Sequence, residues 1–194
     1  MKFEDYKKHK WFFTSSGKLA VGGKSAEQND SLLNRIKKIK EDLIVMHTAE
    51  PGSPFSVILA NISEVSKKDL EECAIFTGCF SRAWKLGKKA TQIHIYKKSQ
   101  IYKSKEMKIG TWGVLGKIEK KAVELKLALT RQERVLRAVP EKTIKNKEKV
   151  LLKILPGKIN KQNLRSEIIK RFQVELDNNE LLSAIPSGGF EITK

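Results

Sequence analysis

The chain has 194 residues, a length that suits one large domain or one domain with a small C-terminal addition. Hydrophobic residues make up 40% and charged residues 31% of the sequence, which is typical of a folded chain rather than a disordered one. No stretch approaches the ~18 consecutive apolar residues that a membrane span needs, and the charged start lacks a signal segment. We therefore expect a cytoplasmic protein with no membrane partner.

The charge balance is strongly basic, with 39 Lys and Arg against 22 Asp and Glu and a net charge of +17. About half of the excess lies in one window, Arg82 to Lys108, which holds nine basic residues and a single acid, Glu106. Clustered basic charge is the electrostatic signature of a protein that binds a polyanion. The charge therefore predicts a nucleic acid as the first candidate partner.

Residues that could hold a metal or a nucleotide cofactor are scarce. Cys73 and Cys79 are six residues apart on a helical pattern, so they point to different faces and a disulfide is not expected. Three histidines without a Cys-x-x-Cys pair do not supply a zinc site. Gly22-Gly23 lacks the spacing of a phosphate-binding loop. We expect no metal and no cofactor.

The first half of the chain predicts a hairpin, a helix and two strands. Ser15 to Gly17 separates two short apolar runs, as in a β-hairpin. Ser25 and Gln28 have capping-box spacing before an amphipathic helix with Leu32, Leu33 and Ile36 on one face and Arg35, Lys37 and Lys38 on the other. Two buried strands are expected at 43–46 and 55–59.

The pattern then predicts one helix over 67–85 and a half-buried strand over 92–96. Within that strand, Ile93 and Ile95 lie on one face, and His94 and Tyr96 lie on the other. Further strands are expected at 123–129 and at 149–155, where Pro156-Gly157 stops the second of them.

A last helix, capped by Asn160, is expected before a weakly ordered tail from Asp177. Strands and helices do not alternate regularly, so the predicted fold is α+β, with a mixed, mainly antiparallel sheet packed with a few amphipathic helices. The predicted divisions are a polar leader (1–9), a core (10–130) and a C-terminal strand-helix extension packed on the core (131–194).

A set of short motifs resembles, in order and spacing, the RNA-binding domain of NFACT proteins over roughly residues 10 to 120. Each motif is short, but together they are specific. They are Trp11 to Gly17, Gly22-Gly23, Asn29-Asp30, Asp42 through His47, Gly52-Ser53-Pro54, Ser81 to Lys85, Gln100 to Ser104, and the Gly110 to Gly116 turn. The family usually has Asn-Glu in place of Asn29-Asp30, and Ser in place of Tyr102.

The resemblance implies a module that binds structured RNA, tRNA or ribosomal RNA, in translation or ribosome-associated quality control. It also implies that Asn29, His47 and Gly52 share one cleft. The chain has no room for the helix-hairpin-helix N-terminal domain and coiled coil of longer family members, so tail synthesis on stalled chains is not expected of it alone. A separate quality-control or RNA-modifying protein is a further expected partner.

The expected RNA contacts combine phosphate-neutralising cations with aromatic rings for stacking. Trp84 lies on an apolar stripe and is expected in the core, whereas Trp112 fits the core and a stacking role equally. Asn29 and His47 come from the resemblance. The candidate residues are Asn29, His47, Arg82, Lys85, Lys88, Lys89, Tyr96, Lys97, Lys98, Tyr102, Lys103, Lys105 and Lys108.

Two other functions remain open from the sequence. An RNA-processing or tRNA-modifying enzyme, or its substrate-binding subunit, would use Asp42, His47 and Ser53, with the imidazole as a general base. Asp42 and His47 are an odd number of residues apart, so on one strand their side chains point to opposite faces and should not meet. We therefore expect no catalytic residues. A polybasic protein that binds duplex DNA is the second alternative.

Overall fold

The computed structural model describes residues 3–145, 150–172 and 177–193. The α-helices are α1 (Ala26–Lys37), α2 (Lys67–Cys79), α3 (Arg82–Lys85), α4 (Lys161–Phe172) and α5 (Asn178–Ala184). The strands are β1 (Lys10–Phe13), β2 (Leu19–Gly22), β3 (Ile44–Thr48), β4 (Ser56–Ile58), β5 (Ala90–Lys97), β6 (Ile101–Tyr102), β7 (Gly113–Val114), β8 (Glu119–Glu124), β9 (Leu127–Gln132), β10 (Val135–Val139), β11 (Leu152–Ile159) and β12 (Phe190–Thr193).

The strands form a six-stranded sheet in the order β1-β2-β4-β3-β5-β8 and a four-stranded sheet in the order β10-β9-β11-β12. Strands β6 and β7 form a separate ribbon. Every strand pairing among the described residues is antiparallel. The predicted α+β class with a mainly antiparallel sheet is confirmed.

Both faces of the six-stranded sheet are covered by helices. Met46 and Ile95 belong to the larger core, together with Phe76 from α2. Val45 and Tyr96, which point the other way, belong to the smaller core, together with Leu33 from α1. Residues that alternate along a strand face opposite sides of a sheet, so this double cover explains why the predicted strand at 43–46 is apolar at every position.

The predicted helix at 67–85 is wrong in its extent, because the chain forms two helices there. Helix α2 ends at Cys79, and Ser81 caps the start of α3 by accepting a hydrogen bond from the Ala83 amide at 3.1 Å. The Ser81 hydroxyl also donates to the Gly78 carbonyl at 2.6 Å. Because Phe80 and Trp84 keep helical spacing across this break, the apolar pattern does not reveal it.

Two predicted strands have other limits in the structure. The run at 123–129 contributes to both sheets, because β8 ends at Glu124 and β9 begins at Leu127. The strand expected to stop at Pro156-Gly157 continues as β11 to Ile159, with a register shift after Pro156 pairs with Phe190. Proline has no amide hydrogen to donate to a neighbouring strand, so within sheets it is found at such irregularities. The predicted start of that strand, Lys149, lies outside the described residues.

Both ends of the described chain pack on the cores. In the predicted polar leader, Phe3 is buried under the Arg35 guanidinium at 3.8 Å, and Tyr6 packs edge-on against Trp11. In the predicted weakly ordered tail, β12 completes the four-stranded sheet and α5 packs on β10. Met1, Lys2 and Lys194, which belong to those two predictions, lie outside the described residues.

Specific contacts join the two sheets. The Gln132 side-chain amide accepts from the Phe13 amide at 2.8 Å and donates to the Phe13 carbonyl at 2.9 Å, which satisfies the free edge of β1. The Trp84 indole N–H donates to the Gly189 carbonyl at 3.0 Å. No helix in the described part of the chain has the length and apolar character required to cross a membrane.

Candidate nucleic-acid interface

A cleft of about 620 Å³ opens on the α1 face of the six-stranded sheet, beside the N-terminus of the helix. His47 and His94, which pair across β3 and β5, are among the sheet residues that line it. Asn29 and Gly52 line the same cleft. The expectation that Asn29, His47 and Gly52 share one cleft is therefore confirmed.

Asn29 shapes the wall of the cleft through its side-chain amide. Its Oδ1 accepts a hydrogen bond from the Phe55 amide at 3.0 Å, and the side chain is buried. A Cβ atom at Gly23 would lie only 2.1 Å from this oxygen, so any larger residue there would displace it. Asn29 thus orders the wall, and Gly23 is required for the close approach.

Burial favours the neutral form of His47, and one hydrogen bond selects its tautomer. Burial lowers the pKa of its imidazole below the ordinary value, the Thr48 carbonyl acts in the opposite direction, and His94 lowers the pKa further. Its Nδ1 lies 2.7 Å from the Thr48 carbonyl oxygen, a contact in which Nδ1 must donate. Nε2 is then left as an acceptor. The ring also packs on Phe55 with centroids 4.5 Å apart.

Among the described residues, Asp42, His47 and Ser53 hydrogen-bond to other groups rather than to one another. The Asp42 carboxylate accepts from the Ser99 amide at 3.0 Å and the Ser99 hydroxyl at 2.9 Å. The Ser53 hydroxyl accepts from the Thr48 amide at 3.0 Å, and His47 donates to the Thr48 carbonyl. The geometry does not provide the acid, base and nucleophile relay that this alternative requires.

Two parts of the basic window lie beside the cleft. The Arg82 amide donates to the Gly52 carbonyl at 2.6 Å, which places α3 directly behind one wall. On the other side, the segment from Ile109 to Trp112 lines the cleft, so Lys108 immediately precedes that wall. The side chains of Arg82, Lys85, Lys105 and Lys108 are exposed and able to meet phosphate groups.

Other cations of the window lie elsewhere or carry acidic partners. Lys88 forms an ion pair with Glu50 at 2.8 Å, and Lys89 forms one with Glu191 at 3.0 Å. Lys97 is exposed, pairs in register with Ile44 at the end of β5, and is not among the residues that line the cleft. Exposed ion pairs are weak, so Lys88 and Lys89 can exchange their partners for phosphate.

Two of the expected RNA contacts, Tyr96 and Lys98, are buried in the structure. Tyr96 is only 5% exposed and packs in the smaller core, because α1 covers the face of β5 that the alternating pattern suggested was polar. Lys98 is 9% exposed and donates to the carbonyls of Ile39 and Glu41 at 2.6 Å each, just after the C-terminus of α1. The positive charge of Lys98 therefore interacts with carbonyl groups that follow the C-terminus of α1.

Lys103 and Trp112 form a network with Asp30 on α1. The Lys103 ammonium lies 3.0 Å from the Asp30 carboxylate and also donates to the carbonyls of Lys108 and Thr111. The Trp112 indole N–H donates to the same carboxylate at 2.7 Å. Trp112 is therefore a structural residue, and Lys103 holds the segment beside the cleft in place.

Tyr102 is packed on the backbone and partly exposed. It is 39% exposed, and its ring lies so close to Gly113 that a Cβ atom there would overlap it. The ring is thus held in place by the Gly113 backbone while part of it meets solvent. This arrangement leaves Tyr102 as the stacking candidate among the predicted aromatic residues.

Cations outside the predicted window also reach this surface. Lys10 and Lys24 line the cleft, and Arg137 and Lys161 are close enough to affect the pKa of the Lys10 amine. These residues are isolated from one another in the sequence. The fold brings them together, so no local charge count could have found them.

The chain is similar to known proteins in sequence and in fold. The chain is 32% identical over 201 residues to the archaeal Rqc2 homolog aRqcH of Methanocaldococcus jannaschii, covering 97% of this chain and 29% of that protein. The C-terminal part of the fibronectin/fibrinogen-binding protein from Streptococcus suis has a similar fold, with a TM-score of 0.51 and 20% identity over 60% of this chain and 44% of that one. The chain thus spans less than a third of its archaeal relative.

The family model described as the NFACT protein RNA binding domain matches residues 8–116, more than half of the chain. The motifs that carry the resemblance fall within these residues, and several of them build the cleft. The chain belongs to the NFACT RNA-binding domain family.

Proposed function

We propose that this protein binds structured RNA, tRNA or ribosomal RNA or both, as a non-catalytic module in the cytoplasm. Its setting would be translation or ribosome-associated quality control, beside a separate quality-control or RNA-modifying protein. The observation that carries the proposal is a cleft with exposed cations beside both of its walls, Arg82 on one side and Lys108 on the other.

The chemistry of the surface suits RNA. Exposed lysine and arginine neutralise phosphates and position the chain, and the partly exposed ring of Tyr102 can stack on an unpaired base. The neutral His47 offers Nε2 as an acceptor for a ribose 2′-hydroxyl, a group that DNA lacks. The family to which the chain belongs and the name of its archaeal relative support this assignment.

We expect the purified protein to bind tRNA with a strong dependence on salt. If the surface neutralises ~4–6 phosphates, log K should fall against log salt with a slope of about −3 to −5, because each contact releases condensed counterions. Fluorescence anisotropy with labelled tRNA between 50 and 300 mM salt measures this slope. A DNA duplex of equal length, bound more weakly, is the control. A flat titration, or a preference for DNA, would contradict the proposal.

A further inference from the structure

Four cations from distant parts of the sequence meet at the seam between the two sheets. They are Lys10 in β1, Lys24 before α1, Arg137 in β10 and Lys161 at the start of α4, and we call them the junction cluster. Lys10 Nζ donates to the Ser183 carbonyl at 3.0 Å, and Arg137 Nη2 donates to the Ser183 hydroxyl at 3.3 Å. One residue of α5 therefore anchors a cation from each sheet.

Aromatic rings support the two inner cations. Lys10 Nζ lies 4.8 Å from the centre of the Phe80 ring, and the Arg137 guanidinium lies 4.9 Å from the centre of the Trp11 ring. Arg137 is only 6% exposed. These contacts fix the positions of the charges without neutralising them.

The junction cluster lacks the acidic partners that ten other basic side chains have among the described residues. Lys18, Arg35, Lys103, Lys126 and Arg131 each form an ion pair with a carboxylate. None of the four cluster residues forms one with any residue that the structure describes. Burial lowers the pKa of Arg137 to about 10, and the acid that acts against this shift is Glu180, whose carboxylate is bound to Arg131 and to the Leu136 amide.

The four charges repel one another. Burial first, and then Arg137, Lys24 and Lys161, lower the pKa of the Lys10 amine to about 8. Burial and Arg137 also lower the pKa of Lys24. Lys161 stands at the N-terminus of α4, where the helix dipole already carries partial positive charge. An anion placed among these groups would relieve repulsion that the folded chain leaves uncompensated.

We propose that the junction cluster binds a backbone phosphate of the RNA, so that the RNA extends from the cleft across the seam onto the four-stranded sheet. The inference rests on the proposed function. Lys10 and Lys24 line the cleft, which makes the cluster continuous with the surface already described. Arg137 and Lys161 extend that surface beyond the residues matched by the family model, 8–116.

The test compares two double charge reversals in the full chain. Lys24→Glu with Lys161→Glu changes the outer members of the cluster and spares the buried Arg137. Lys68→Glu with Lys170→Glu is the control of equal charge, and Lys170 lies on α4 about 13 Å along the helix from Lys161. Lys105→Glu with Lys108→Glu tests the proposed function separately.

We expect the cluster variant to bind labelled tRNA at least tenfold more weakly, with a salt slope reduced in magnitude by about 1 to 2. The control should change affinity by less than threefold. If the Lys105/Lys108 variant loses affinity and the cluster variant matches the control, RNA binding stands and the junction-cluster proposal is wrong. If the parent does not bind tRNA, both proposals are wrong.

A second measurement uses the parent protein alone and follows the pKa of Lys10. The carbon-13 signal of the Lys10 side chain can be followed against pH in the parent protein, with and without a short unlabelled RNA. We expect the pKa of Lys10 to rise by roughly one unit when RNA is present, because a nearby phosphate favours the charged amine. A pKa that does not change at saturating RNA would overturn the proposal.

Discussion

Replacing Lys103 by glutamate is expected to lower the free energy of unfolding by about 3 kcal/mol, because it leaves the partly buried Asp30 carboxylate facing another acid. The Lys103 side chain is 23% exposed and the Asp30 side chain 17%, so solvent screens the pair only in part. The substitution also removes the donor to the Lys108 and Thr111 carbonyls, which holds the wall of the cleft. The melting temperature should fall by roughly 6–12 °C.

Lys105→Glu is the matched control for this prediction. Lys105 is exposed and two residues away, so the same charge reversal there should change the melting temperature by less than ~2 °C. Thermal unfolding followed by circular dichroism gives both values. Equal melting temperatures for the two variants would show that the network of Lys103, Asp30 and Trp112 contributes nothing to stability.

Replacing Trp84 by alanine is expected to cost about 3–5 kcal/mol of stability, through a cavity in the larger core. Trp84 is almost fully buried, and its ring lies 6.0 Å from that of Phe190 in β12. The substitution also leaves the Gly189 carbonyl without its donor. Because these contacts join α3 to the four-stranded sheet, we expect both sheets to lose stability together.

Two variants separate the volume of Trp84 from its hydrogen bond. Trp84→Phe retains most of the buried ring and loses the N–H donor, so it should cost about 1–2 kcal/mol. Arg82 lies on the same short helix and is exposed, so Arg82→Glu should change the stability very little. Chemical denaturation of the three proteins measures these differences. A Trp84→Ala protein within 1 kcal/mol of the parent would contradict this account of the larger core.

The local elements were largely readable from the sequence. The hairpin at Ser15 to Gly17, the cap at Ser25 and the strand containing Ile93 and Ile95 all form as the pattern indicates. What the pattern did not reveal was how these elements pack. Tyr96 alternates with buried isoleucines and so looked solvent-exposed, but α1 covers that face as well. A second covering helix is a property of the tertiary fold and leaves no local signal.

The candidate site shows the same limit. Charge density identified Arg82, Lys85, Lys105 and Lys108, which are exposed, but also Lys98 and Lys103, which bind carbonyls and a carboxylate inside the fold. A lysine count cannot distinguish these cases, because the acceptors come from distant segments. The junction cluster could not be predicted for the same reason, because its members also come from distant segments. Its members lie from position 10 to position 161, and none of the four stands in the basic window.

The central claim is that RNA lies along the cleft and its basic surroundings. Photo-crosslinking of tRNA that contains 4-thiouridine, followed by mass spectrometry of the attached peptides, tests it most directly. We expect crosslinks at Tyr102 and in the segments that flank the cleft, near Gly52 and between Lys105 and Trp112, with yields that fall in Lys105→Glu with Lys108→Glu. Crosslinks confined to α2, which covers the opposite face of the sheet, would contradict the account.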